Sequence, residues 1–143
     1  MFFCKLQTQH DGNKINKILG RYFPFGYASC KELRMQVADE NLFPADNYLF
    51  ALSDKKEYVA VIGYGWNLQE NIVEVVLLEV RQRYHGHEYG KMMFSKLQER
   101  YPLSKIRVIA ANDSVMNEYY LQRNFKIVDK NNFILEYVGG SLC

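Results

Sequence analysis

The chain has 143 residues, enough for one domain and not for several. Hydrophobic residues make up 48% and charged residues 24%, which excludes intrinsic disorder, and a net charge of +2 is too weak to argue for a nucleic-acid partner. Aromatic residues are the unusual item at 15%, a surplus that suits a ligand cleft as well as a core.

Residues 2–6 form a short apolar run and read as a first strand. Asp11 or Asn13 can cap a helix that carries Ile15, Ile18, Leu19 and Tyr22 on one face. Gly20, Pro24 and Gly26 are expected to break it and to bracket an aromatic loop at 22–27. Ser29, with Glu32 three residues on, can cap a second helix that fades before Pro44. Residues 48–52, 58–66 and 72–80 read as an antiparallel meander, with turns at 53–56 and 67–71. Tyr58 and Tyr64 fall in these strand patterns and read as core. The third strand is almost wholly apolar, so it is expected to be central and covered on both faces, with Glu74 and Glu79 interrupting it.

A helix follows over 89–100, with Met93, Leu97 and Tyr101 as its apolar stripe and Pro102 as its stop. Residues 106–110 read as a strand and 114–123 as a helix, with Met116, Tyr119 and Tyr120 inward and Asn124 as the residue that ends it. Residues 126–128 and 133–138 are strands around a polar turn at 129–132, and 139–143 form a loose tail. The order β-α-α-β-β-β-α-β-α-β-β predicts an α/β (α+β) domain over 1–138. Its sheet is mixed and mostly antiparallel, with helices on both faces.

Cys4, Cys30 and Cys143 are odd in number and far apart, so neither a disulfide framework nor a zinc motif is expected. The apolar runs near 59–62 and 75–78 are too short to span a bilayer, and the first residues lack the pattern of a secretory signal. A cytoplasmic setting without membrane attachment is the expectation. His85 and His87 have no third ligand at a helpful spacing, so no metal is expected.

The informative segment runs from Leu77 to Met93. A strand enters a turn with Gly86 and Gly90, and a helix starts at the second glycine. Such a turn aims backbone N–H groups and the positive end of a helix dipole at one point, an arrangement suited to phosphate. Lys91 is followed by Met92 rather than Ser or Thr, which rules out a Walker loop. The G-x-G-x-x-G spacing of a dinucleotide fold is also absent. A tight turn with glycines for geometry alone is the plain alternative.

Arg83-Tyr84-His85-Gly86-His87-Glu88-Tyr89-Gly90, after a strand ending at Val80, resembles the acyl-CoA signature of the GNAT-type N-acetyltransferases. The pattern is [QR]-x-x-G-x-[GA] with a further Gly. Arg83, Gly86 and Gly90 match it, and Glu88 stands where Gly or Ala is usual. Tyr120-Leu121-Gln122-Arg123-Asn124-Phe125 resembles the family's Y-x-x-x-G-F close, with Asn124 for Gly, and Asn112 lies near the family's Asn. The element order is also that of the family, so the resemblance covers nearly the whole chain.

The resemblance implies acetyl-CoA as cosubstrate, inserted where the strand before the signature splays from its neighbour. Backbone groups of Leu78, Glu79 and Val80 pair with the pantetheine arm, and the Val80 N–H polarises the thioester carbonyl. The N–H groups of Tyr84, His85, Gly86, His87, Glu88, Tyr89, Gly90 and Lys91 hold the pyrophosphate. Tyr120 is the implied general acid for the leaving thiolate. Glu74, six residues before Val80, has the spacing of the base in some protein-acetylating members.

The acceptor cleft implied by the family is built from residues 21–30 and the last hairpin. Here that gives an aromatic wall of Tyr22, Phe23, Phe25 and Tyr27, suited to a peptide or a small amine. The expected activity is acetyl transfer to a primary amine in a ternary complex. The alternative is a weak or inactive relative that binds CoA or a protein partner, motivated by Glu88. An exposed last strand also allows a homodimer by edge pairing.

Overall fold

Residues 1–23, 45–109, 120–131 and 134–138 are described in the computed structural model of the protein. The strands are β1 (Phe2–Gln7), β2 (Asn47–Leu52), β3 (Tyr58–Asn67), β4 (Ile72–Val80), β5 (Lys105–Ile109), β6 (Phe125–Asp129) and β7 (Ile134–Tyr137). Helix α1 (Thr8–Tyr22) follows β1, and helix α2 (Tyr89–Arg100) follows a 3-10 turn at Gln82–Tyr84. The strands form a seven-stranded sheet in the order β1-β2-β3-β4-β5-β7-β6. β1–β2, β2–β3, β5–β7 and β7–β6 pair antiparallel, while β4–β5 pair parallel. A parallel pair needs a crossover, and the segment containing α2 supplies it. The mixed, mostly antiparallel sheet matches the expectation from element order.

Tertiary contacts divide the chain into two compact units. The first is Met1–Gly65 with Val76–Met93, and the second is Trp66–Val75 with Phe94–Cys143. In the first unit, Ile15, Ile18, Leu19 and Phe23 pack with Leu6, Tyr48, Phe50, Val61 and Leu77. The i, i+3, i+4 spacing puts these α1 residues on one stripe, which is why a helix forms here. Each large apolar side chain buried this way contributes about 1.5–3 kcal/mol. Phe50 is the hub, with ring centroids 6.2 Å from Phe23, 6.3 Å from Tyr48 and 5.7 Å from Tyr58.

Gly63 allows this core to close. A Cβ there would lie 2.9 Å from the Tyr48 ring and 3.3 Å from the Leu77 Cβ. Both neighbours are buried. Gly63→Ala is therefore expected to destabilise the protein by about 1–3 kcal/mol, measured as a lower urea midpoint with an unchanged slope.

In the second unit, Phe94, Tyr120, Phe125 and Tyr137 form a ring cluster. Phe94 and Phe125 are 4.8 Å apart, and Tyr120 lies 5.4 Å from Phe125. Asn71 ties the start of β4 to the start of β5. Its side chain donates to the Leu103 carbonyl at 2.6 Å and accepts from the Ser104 hydroxyl at 2.7 Å.

The structure departs from the sequence expectation at several points. Helix α1 begins at Thr8, earlier than Asp11 or Asn13. Asp11 has non-helical angles inside it, and its carboxylate accepts the Gln7 N–H at 3.1 Å. Asp11 is therefore not the N-cap: that position is Gln7, which has no side-chain cap bond, and the Asp11 carboxylate instead reaches back to it from the kink. Gly20 does not end the helix, because a glycine facing open space costs only about 1 kcal/mol there. Strand β4 is not covered on both faces. Val73, Val75 and Leu77 are buried, while Glu74 and Val76 are exposed. Phe94 joins the expected stripe of α2 as a fully buried residue. The expected second helix, most of the helix at 114–123 and the tail at 139–143 lie outside the described residues. No helix among the described residues is long and apolar enough to cross a membrane.

Candidate active site

The end of β4 sets the geometry. Residues 72–75 pair with 105–108 of β5, and among the described residues 76–80 have no partner on that edge. The Arg81 N–H donates to the Val59 carbonyl of β3 at 2.9 Å. Backbone N–H groups alternate between the two edges of a strand, so the Val80 N–H points to the edge away from β3. The Val80 carbonyl shares that edge. It accepts from the His85 ring at 2.7 Å, which assigns the proton to Nε2.

The chain then tightens into the 3-10 turn, with Tyr84 N–H bonded to the Arg81 carbonyl and His85 N–H to the Gln82 carbonyl. Gly86 follows at φ 86° and Glu88 at φ 61°. Glu88 thus holds the left-handed conformation that glycine adopts freely. Holding a non-glycine residue there costs about 1–2 kcal/mol. The Glu88 carbonyl accepts the Met92 N–H. The N–H groups of Tyr89, Gly90 and Lys91 therefore lie ahead of the first helical bond of α2.

A polar cluster braces this turn. The Tyr84 hydroxyl donates to Glu57 at 2.6 Å, and Arg83 lies 3.5 Å from the same carboxylate. The Tyr84 hydrogen bond, then the Arg83 charge, holds the Glu57 carboxyl below the usual carboxylate value. The same bond holds the Tyr84 phenol above its ordinary value.

A cleft of about 480 Å³ opens beside the end of β4, lined by Arg21, Tyr22, Phe23, Glu79, Arg81, Gln82 and Arg83. The Arg21 and Arg81 guanidinium groups lie 5.2 Å and 5.4 Å from the Tyr22 ring centroid. Arg81 is anchored by donating to the Tyr58 carbonyl at 3.0 Å. Phe23 borders the cleft but is 1% exposed and belongs to the core.

Glu79 is half-buried in this cleft. Burial pushes its carboxyl above the usual carboxylate value, and His85 opposes that shift. The folded state then favours the protonated form. Stability falls as pH rises from the ordinary carboxylate value through the higher one in the fold. Glu79→Gln should accordingly raise Tm at neutral pH, with the gap to the parent closing below about pH 4. Melting curves across that range test it.

The structure brings Tyr22, Phe23 and Glu79 together at the cleft, and the Val80 backbone and His85 at the β4 edge. Glu74 is exposed on β4 opposite Arg107 of β5. The pleat puts it on the face other than that of Glu79. Tyr120 is half-buried in the ring cluster of the second unit, and Asn124, directly before β6, has φ 68°. Asn112, Phe25 and Tyr27 lie outside the described residues. Sequence reasoning missed Glu57, Arg81 and Gln82, and gave Arg21 no role of its own within the segment 21–30. The Arg81-Gln82-Arg83 run directly after a strand was the available signal for the cleft; Glu57 gave none.

No family model and no curated protein sequence matches the chain. Solved structures do. GCN5 of Tetrahymena aligns over 96% of this chain and 95% of its own, at 15% identity and a TM-score of 0.69. The PaiA N-acetyltransferase of Thermoplasma acidophilum, in complex with coenzyme A, aligns over 96% of this chain and 99% of its own. Its identity is 17% and its TM-score 0.56. The GNAT family N-acetyltransferase YhbS of Escherichia coli, in complex with CoA, aligns over 95% and 79%, at 12% identity and a TM-score of 0.60. The sheet order, the α2 crossover and these likenesses agree: the chain has the fold of the GNAT N-acetyltransferases.

Proposed function

We propose that the protein is an acetyl-CoA-dependent N-acetyltransferase acting on the primary amine of a small molecule or peptide. The observation that carries this reading is the edge of β4. It is unpaired at 76–80 among the described residues, directs the Val80 N–H outward, and leads into the turn with Gly86 and Glu88 in left-handed conformations. That cradle fits an anionic cosubstrate, because close approach to backbone N–H groups is what such a turn allows. The coenzyme A in the complexes of the PaiA and YhbS relatives supports the same assignment.

When bound, acetyl-CoA supplies an acetyl thioester and a thiol leaving group. Backbone groups of Leu78 and Val80 hold its arm, and the Val80 N–H stabilises charge on the thioester oxygen. The N–H groups of the turn from Tyr84 to Lys91 hold its phosphates. His85 gives up its bond to the Val80 carbonyl where the arm takes that acceptor. Tyr120 protonates the leaving sulfur, the role that the resemblance assigns to it.

A base must also free the acceptor amine, which is mostly protonated at neutral pH. Two carboxylates of β4 compete for this task. Glu74 has the family spacing but is exposed and does not line the cleft. Glu79 lines the cleft, next to Val80, with its carboxyl raised by burial. A raised carboxyl is the better base near neutral pH, so the geometry favours Glu79. Calorimetric titration with acetyl-CoA tests the cosubstrate assignment. Saturable binding is expected, and no heat at millimolar ligand would remove the enzymatic reading.

A further inference from the structure

We infer that the cleft between the end of α1 and the end of β4 recognises an acceptor that carries a carboxylate beside its primary amine, a molecule of amino-acid type. The inference rests on the N-acetyltransferase reading and adds the substrate class to it. The cleft holds three guanidinium groups and one carboxyl. Arg83 is matched by Glu57 at 3.5 Å. Arg21 and Arg81 form no ion pair within 4.0 Å among the described residues, although the Arg81 charge is felt by Glu57; each lies near the Tyr22 ring, and Arg81 also bonds a backbone carbonyl. Anchored by one N–H to the Tyr58 carbonyl, the Arg81 fork keeps further donors in fixed directions, which suits a planar carboxylate.

Glu79 decides which anion is meant. A bare polyphosphate would meet its half-buried carboxyl in the same cleft, and like charges at close range repel. A molecule with one ammonium and one carboxylate answers both signs at once: Glu79 faces the amine while Arg21 and Arg81 face the carboxylate. The volume of about 480 Å³ is that of a small-molecule site. The Tyr22 ring lies near both cations and adds an aromatic wall to the cleft.

The test measures kcat/KM for thiol release from acetyl-CoA with matched acceptors: L-leucine, L-methionine, L-phenylalanine and L-glutamate, each against its α-carboxamide. The free acids are expected to exceed the amides by about 10- to 100-fold for at least one pair, the range of hydrogen bonds to a charged group. Arg81→Met should raise KM for that acid by a similar factor and so collapse the ratio of acid to amide. Arg21→Gln, at an exposed position that does not endanger folding, should act in the same direction. Amides used as well as acids, or variants that raise KM for acetyl-CoA alone, overturn the inference and leave the acetyltransferase reading standing. No thiol release with any amine overturns both.

Discussion

Tyr120→Phe is expected to lower kcat by roughly 10²- to 10⁴-fold, the usual contribution of a placed general acid. Phe keeps the ring that packs 5.4 Å from Phe125 and 6.2 Å from Phe94, so the substitution removes little besides the hydroxyl. Tm should stay within a few degrees of the parent. Loss of turnover with an unchanged KM for acetyl-CoA is the signature of a group acting on the leaving sulfur. Unchanged kcat would take Tyr120 out of the mechanism and leave it a core aromatic.

The second large effect separates the two carboxylates of β4. Glu79→Gln is expected to lower kcat by roughly 10²- to 10⁴-fold, while Glu74→Gln stays within about threefold. The two differ by an odd number of residues, so a regular pleat cannot aim both into one cleft. The pH profile adds an independent readout. Activity of the parent should fall as pH drops through the raised Glu79 value, above the ordinary carboxylate range, and that limb should vanish in Glu79→Gln. The opposite ranking of the two variants would return the role to Glu74.

Much of the fold is legible in the sequence because its signals are periodic. The stripe of Ile15, Ile18 and Leu19 and the apolar runs of β2, β3 and β4 each specify an element without help from the rest of the chain. The turn before α2 is equally readable, since glycines, a strand end and a helix start fall in a fixed order. Glu88 shows the limit of that reading. As a residue type it suggests a damaged anion site, yet its φ of 61° is in the left-handed region that glycine adopts freely, which the residue type does not announce.

The cleft was less legible, for two reasons. Its cations come from separate segments, Arg21 from the end of α1 and Arg81 from beyond β4, and no local pattern joins them. The resemblance points to Glu74 by its spacing, and spacing along the strand does not reveal a cleft beside Glu79. Glu79 shares its face with the buried Val75 and Leu77, and it is the cleft lining, not strand exposure, that singles it out. Phe23 shows the reverse case: an aromatic expected to face substrate is mostly committed to the core.

The central claim is acetyl transfer from acetyl-CoA to an amine. A thiol-release assay over amino acids, peptides, polyamines and drug-like amines tests it most directly. The account predicts acceptor-dependent release of free thiol with at least one class, and none without an acceptor. Binding of acetyl-CoA with no thiol release above the protein-free background for every amine would contradict it, leaving a protein that holds CoA and does no transfer.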